Sequence, residues 1–116
     1  MRRSTEPLWW LLFAMGGTVA AFLMPVHVLI NGFGLATGWA REALAFDRAH
    51  ALASHPLARL YLFVLISLSL LHWAHRFRYT LAEGLHLKAS FLPVSFGIYG
   101  AAVLGVVLAT IALVRL

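Results

Sequence analysis

Three long, mostly apolar segments restrict the fold of this chain more than any other feature. They lie at about residues 8–32, 57–80 and 90–115, and the middle of each is free of charged side chains. A helix across a hydrocarbon core of about 30 Å takes about 20 such residues. We therefore predict an all-α integral membrane protein, a single domain over residues 1–116 with three transmembrane helices.

The composition excludes most soluble alternatives. Hydrophobic residues make up 62% of the chain and charged residues 11%, against about 45–50% and 25% in soluble domains. A chain of 116 residues buries too small a fraction of its surface to hide so many apolar side chains, so we expect lipid to cover them. The absence of Cys excludes a disulfide scaffold and a Cys-ligated zinc site. The net charge of +5 is scattered over the segment ends, so no nucleic-acid surface is expected.

The basic residues predict an orientation. An Arg2-Arg3 pair before an apolar run also occurs in signal peptides, but this run exceeds an h-region and has no small-residue cleavage site. Basic residues favour the cytoplasmic side of a membrane. Those before the first span, at the end of the second and between the second and third are Arg2, Arg3, Arg76, Arg78 and Lys88. We expect a cytoplasmic N-terminus, with the long first loop outside.

Local signals add detail to the helices. Thr5-Glu6-Pro7 is typical of a helix start, and Pro25 should kink or locally open the first span. Within residues 40–55, a short amphipathic helix is expected at the outer membrane surface. His55-Pro56 should start the second span.

Small residues recur every fourth position in the third span. They are Gly97, Ala101, Gly105 and Ala109. Such a ridge lets another helix approach closely, although small residues are common in membrane helices in any case. We expect a bundle completed by another membrane chain.

The one polar cluster ends the second span. At 100° per residue its members fall within a sector of about 100°, and they are His72, His75, Arg76, Tyr79 and Glu83. Arg78 points elsewhere on this wheel and is expected to reach the headgroups. Ionisable groups in a membrane usually face a bundle interior and mark function, whereas solvated interfacial residues are the simpler explanation for Arg78 and Glu83.

The chemistry of this cluster suits a quinone. His75 offers a titratable hydrogen-bonding group and Arg76 a fixed cation, which fit a carbonyl that gains charge and a proton on reduction. The indole of Trp10, predicted at the same membrane depth, would add a donor or a wall. His72 lies one turn deeper, where a neutral imidazole either ligates a haem or simply makes a hydrogen bond within the bundle.

The chain resembles the D subunit of bacterial fumarate reductase. The resemblance rests on Thr5-Glu6-Pro7 followed by aromatics, Gly16-Gly17, Pro25, Ala58-Arg59 and His75-Arg76, and it covers nearly the whole chain. It implies a non-catalytic anchor in the bacterial inner membrane that pairs with a C-like second anchor. Together they hold an iron–sulfur subunit and a flavoprotein subunit, so FAD and the iron–sulfur clusters would lie only in partner chains. It also implies a shared menaquinone site, carried over here to Trp10, His75 and Arg76.

His72 departs from this family pattern. The best-studied members bind no haem and have no His at this place, whereas related succinate dehydrogenase anchors carry a haem-ligating His in a comparable span. A haem b-containing succinate dehydrogenase anchor is therefore the alternative with the same fold. A small multidrug transporter or channel is the alternative from another class, but it needs a carboxylate within a span, and Glu6 precedes the first one. A nonspecific assembly peptide would leave His72, His75 and Arg76 unexplained.

Overall fold

The computed structural model describes residues 4–88 and 92–116. Its helices within these ranges are α1 (Glu6–His27), α2 (Phe46–Ser54), α3 (Pro56–Gly84) and α4 (Leu92–Arg115), and a π-helical stretch, Val28–Gly34, continues α1. Three helical segments are long and apolar enough to cross a membrane: Glu6–Gly34, Pro56–Gly84 and Leu92–Arg115. The predicted all-α fold with three such helices is confirmed. The predicted basic flank Arg2-Arg3 and residues 90–91 of the third span lie outside the described residues.

The first helix starts with a variation on the predicted cap. Thr5 occupies the N-cap position, but its side chain makes no capping hydrogen bond. The hydroxyl of Ser4 instead accepts from the backbone N–H of Glu6, at 3.2 Å. Glu6 in the first turn places a negative charge at the positive end of the helix dipole. Pro7 is tolerated there because backbone N–H groups in the first turn have no partner within the helix.

The far end of α1 widens after its internal proline. Pro25 cannot donate to the carbonyl one turn earlier, and the backbone changes to the π form from Val28 onward. Just before the change, Nε2 of His27 shares a hydrogen bond of 2.7 Å with the hydroxyl of Tyr61. This bond ties the end of α1 to α3 across the bundle.

The loop after α1 contains the predicted short helix. α2 spans Phe46–Ser54 and is amphipathic, with Phe46 and Leu52 largely exposed. The hydroxyl of Ser54 donates to the backbone carbonyl of Leu116 at 3.2 Å. The helix is thereby held against the end of α4, at the same side of the bundle as the start of α3.

The central helix is α3, which packs against α1 on one side and α4 on the other. It begins at Pro56 as predicted, and the imidazole Nδ1 of His55 accepts from the N–H of Leu57 at 3.2 Å. Towards α1 the packing is close, because a Cβ on Gly16 would collide with the carbonyl oxygen of Leu68. Small side chains therefore set the distance between helices.

The small-residue ridge of α4 does not act as one surface. A Cβ on Gly105 would lie 2.9 Å from Cδ1 of Leu70 in α3, whereas one on Gly97 would meet nothing within 4 Å. Part of the ridge therefore serves contacts within this chain, and completion of the bundle by another chain stays a prediction. Helix approach depends on the small residues as predicted, but periodicity did not show which helix would approach.

The apolar side chains mostly face outward. The packed cluster between α3 and α4 centres on the buried side chains of Ala74, Ile98 and Ala102. Outside it, Phe22 and Phe96 are each 75% exposed, and no polar side chain is buried among the described residues. An outer surface of this kind is stable only in contact with lipid or with other apolar helices.

Candidate functional site

A cavity of about 510 Å³ opens where α1 begins, α3 ends and α4 begins. Its volume falls within the range of small-molecule sites. The lining side chains are mostly aromatic or aliphatic and come from all three helices: Trp9, Trp10, Leu12, Phe13, Leu71, His75, Tyr79 and Tyr99. The predicted site residues Trp10 and His75 therefore share one cavity at one end of the bundle.

His75 is the half-buried imidazole of this cavity. Its Nδ1 lies 3.1 Å from the hydroxyl oxygen of Tyr99 in α4, within hydrogen-bonding distance. Its ring centroid is 4.5 Å from that of Phe13 and 5.3 Å from that of Tyr79. Neighbours on all three helices thus hold the imidazole in place.

Trp10 forms the outer wall beside His75. The two ring centroids are 6.2 Å apart in an edge-to-face arrangement, and the indole also packs edge-to-face with Phe13 at 5.9 Å. The side chain is 65% exposed. Its position near the start of α1 fits the preference of indoles for the headgroup layer.

The two arginines that follow His75 take different positions. Arg76 is exposed and is not among the cavity-lining residues of the described chain. Arg78 turns towards α4, with its guanidinium carbon 4.7 Å from the ring centroid of Tyr79 and 5.6 Å from that of Tyr99. Within the described chain its Nε is enclosed without a hydrogen-bond partner. Arg78 thus lies against two tyrosines that line the cavity, although sequence reasoning assigned it to the headgroups.

His72 lies between α1 and α3, one turn deeper than His75. Its Nδ1 is 3.1 Å from the carbonyl oxygen of Phe13, and its ring stacks on the Phe13 ring at 4.5 Å. A Cβ on Gly17 would lie only 2.6 Å from Cε1 of the imidazole. The side chain thus fills the space that Gly17 leaves open, and helix packing accounts for its contacts without a haem. Haem ligation by His72 stays a prediction.

Comparisons with known proteins place the chain in a family. Residues 1–114 match the sequence profile of the D subunit of fumarate reductase. The fumarate reductase D subunit of Mycobacterium tuberculosis (strain H37Rv) is 43% identical over 106 residues, covering 90% of this chain and 82% of that protein. The fumarate reductase D subunit of Shewanella sp. (strain W3-18-1) is 35% identical over 118 residues, covering 99% and 94% of the two chains.

The chain belongs to the family of fumarate reductase D subunits. The resemblance inferred from Thr5-Glu6-Pro7 and His75-Arg76 is therefore confirmed. With its three spanning helices, this family member is a multi-pass membrane protein. Membership of a family of subunits also indicates that it works in a complex with other chains, which sets aside the small-transporter alternative.

Sequence reasoning missed three residues around the cavity: Phe13, Arg78 and Tyr99. One signal was available for Arg78, because residues three apart on a helix differ by only about 60° in direction. For Tyr99 the signal was its depth, since an antiparallel α3–α4 pair brings the start of α4 beside the end of α3. Phe13 follows Trp10 by one turn and so lies on the same face of α1.

Proposed function

We propose that this protein anchors a quinol:fumarate reductase in the bacterial cytoplasmic membrane and contributes to its menaquinone site. In the proposed complex a second membrane anchor pairs with it, and the two hold an iron–sulfur subunit and a flavoprotein subunit. Family membership and three spanning helices with an apolar outer surface support the anchor role. This chain itself carries no redox chemistry at fumarate in this proposal.

In the proposed orientation, the cavity end of the bundle faces the cytoplasm. Arg76 and Arg78 lie near the end of α3 and Lys88 follows it, so all three are at the cavity end of the bundle, and basic residues favour the cytoplasmic side. The N-terminus would lie there too, because α1 begins at the same end. A quinol in the cavity would then be close to subunits docked on the cytoplasmic face.

One observation carries the proposed quinone site: the hydrogen-bonded pair His75–Tyr99 in an aromatic-lined cavity at the end of the bundle. If Nδ1–H donates to the Tyr99 oxygen, Nε2 is unprotonated and can accept the proton that a quinol releases on oxidation. If the Tyr99 hydroxyl donates instead, Nε2 carries a hydrogen and can donate to a quinone carbonyl. The same bond thus suits both redox forms of the substrate.

The remaining groups would bind and orient the ring. Trp10 and Phe13 provide aromatic surface, and the indole N–H adds a donor. Arg78, beside Tyr99, would stabilise negative charge that develops on a quinone oxygen. Arg76, carried over from the family pattern, is exposed on α3 and so is accessible to another chain of the complex.

The anchor role is tested by purifying the tagged chain from its native membrane in mild detergent. A flavoprotein, an iron–sulfur protein and a second small membrane chain should come with it. Recovery of the chain alone, or only as a homo-oligomer, would contradict the proposed complex.

The quinone site is tested by replacing His75 with Gln in the assembled complex. Menaquinol-driven fumarate reduction should fall about tenfold or more, since a general acid or base contributes at least that much. Reduction driven by a viologen dye, which bypasses the quinol, should change little. His50→Gln, on exposed α2, is the matched control. An equal loss of both activities in His75→Gln would mean that His75 is structural.

A further inference from the structure

A second opening lies at the other end of the bundle, between the start of α3 and the end of α4. It has a volume of about 220 Å³. Its walls are apolar apart from one hydroxyl and one cation. The lining residues are Arg59, Leu60, Phe63, Thr110, Leu113 and Val114. We call it the Arg59 groove. The proposed quinone chemistry uses none of these residues.

Arg59 has no counter-charge within the described chain. Its side chain is half-buried, and its Nε is enclosed without a hydrogen-bond partner. The hydroxyl of Thr110 donates to a carbonyl of its own helix. On this side of the bundle Glu42 already pairs with Arg48, at 3.4 Å. A cation held against apolar walls is costly unless an anion pairs with it.

The depth of Arg59 matches the phosphate layer of a bilayer. α3 has 29 residues, which at about 1.5 Å per residue span about 43 Å. This equals the thickness of a bilayer with its headgroups, about 40–45 Å, so the first turn of α3 lies at headgroup level. Arg59 belongs to that turn, whereas Phe63 lies one turn deeper, towards the hydrocarbon.

We propose that the Arg59 groove binds one anionic phospholipid. Its phosphate pairs with the Arg59 guanidinium, and the upper part of an acyl chain lies along Leu60, Phe63 and Leu113. Charge complementarity selects the headgroup, and the apolar walls below it accept the chain. Neither an exposed patch nor a fully apolar groove would combine these two features.

Spin-labelled lipids test this site in the complex purified from its own membrane and reconstituted into phosphatidylcholine nanodiscs. The fraction of immobilised lipid is measured for labelled phosphatidylglycerol and for labelled phosphatidylcholine. Phosphatidylglycerol should be preferred, and Arg59→Gln should weaken its binding about tenfold, as expected for loss of a charge-assisted hydrogen bond. Arg59→Lys, which keeps the charge, should retain most of the preference.

Arg41→Gln is the matched control, because Arg41 is exposed on the same side of the bundle and the substitution removes the same charge. It should leave the preference unchanged. Equal binding of the two lipids, or an equal effect of Arg41→Gln and Arg59→Gln, overturns the proposal. Displacement of the lipid by millimolar inorganic phosphate would overturn it in favour of a site for the free anion. Absence of immobilised lipid would overturn it in favour of another chain of the complex covering the groove.

Discussion

Tyr99 illustrates how a residue outside the polar cluster governs the properties of a residue inside it. The cluster on α3 presents His75, but the partner of its Nδ1 comes from α4. A fixed bond at one imidazole nitrogen decides whether the other carries a hydrogen. Tyr99 therefore acts on the proposed quinone chemistry through His75, as a positioning residue.

Replacing Tyr99 with Phe removes this bond and keeps the ring. Menaquinol-driven turnover should fall about two- to tenfold, the loss expected for one hydrogen bond. The pH profile of the quinol reaction should also shift, because His75 loses its partner. Steady-state assays with menaquinol and with viologen dye measure the effect. An unchanged pH profile together with an equal loss in both assays would assign Tyr99 to packing alone.

Glycines set the spacing of the helices at the scale of elements. Gly16 and Gly17 bring α1 against Leu68 and His72, and Gly105 brings α4 against Leu70. Gly97, by contrast, faces open space within the described chain. The same residue type thus serves two kinds of surface, one internal and one available to another chain.

Gly105→Leu should disrupt the α3–α4 pair, because the new side chain would enter the space of Leu70. Overpacking of this kind costs about 1–3 kcal/mol. The complex should lose thermal stability and be recovered in lower yield. Gly97→Leu is the matched comparison, since nothing within the described chain obstructs it. A larger loss of assembly for Gly97→Leu than for Gly105→Leu would locate the critical contact between subunits rather than within this chain.

The sequence predicted the helices better than it predicted how each helix is rotated towards its neighbours. Uninterrupted apolar stretches were sufficient for the three spanning helices, because crossing lipid leaves few alternatives. The shared depth of Trp10 and His75 followed from the antiparallel arrangement of the spans. The contact of Gly105 with Leu70 could not be predicted, since it depends on how each helix is rotated about its axis. That rotation results from packing with neighbouring helices, and a single periodic pattern does not contain it.

The whole molecule is a set of antiparallel helices with distinct ends. One end carries the aromatic cavity and the other carries α2 and the Arg59 groove. The chain contains no Cys, so a single introduced Cys gives a signal without background. This allows the proposed orientation to be measured directly.

Glu83→Cys, at the cavity end, should react with a membrane-impermeant maleimide only after the cytoplasmic side is opened. Asp47→Cys, in α2, should react in intact cells, since the first loop is expected outside. Both positions are exposed. Labelling is read by gel shift, with the Cys-free parent chain as the control. Labelling of Glu83→Cys but not of Asp47→Cys in intact cells would contradict the proposed topology. The cavity would then lie on the side opposite the cytoplasmic subunits.

The contact of His72 with Gly17 has a consequence for how members of this family can diverge. The imidazole occupies volume that exists only because position 17 has no side chain. A relative with Ala at position 17 should therefore carry a smaller residue than His at position 72, and the two positions should change together. The His72 ring stacks on Phe13, which lines the cavity, so each such exchange should also move one wall of the cavity.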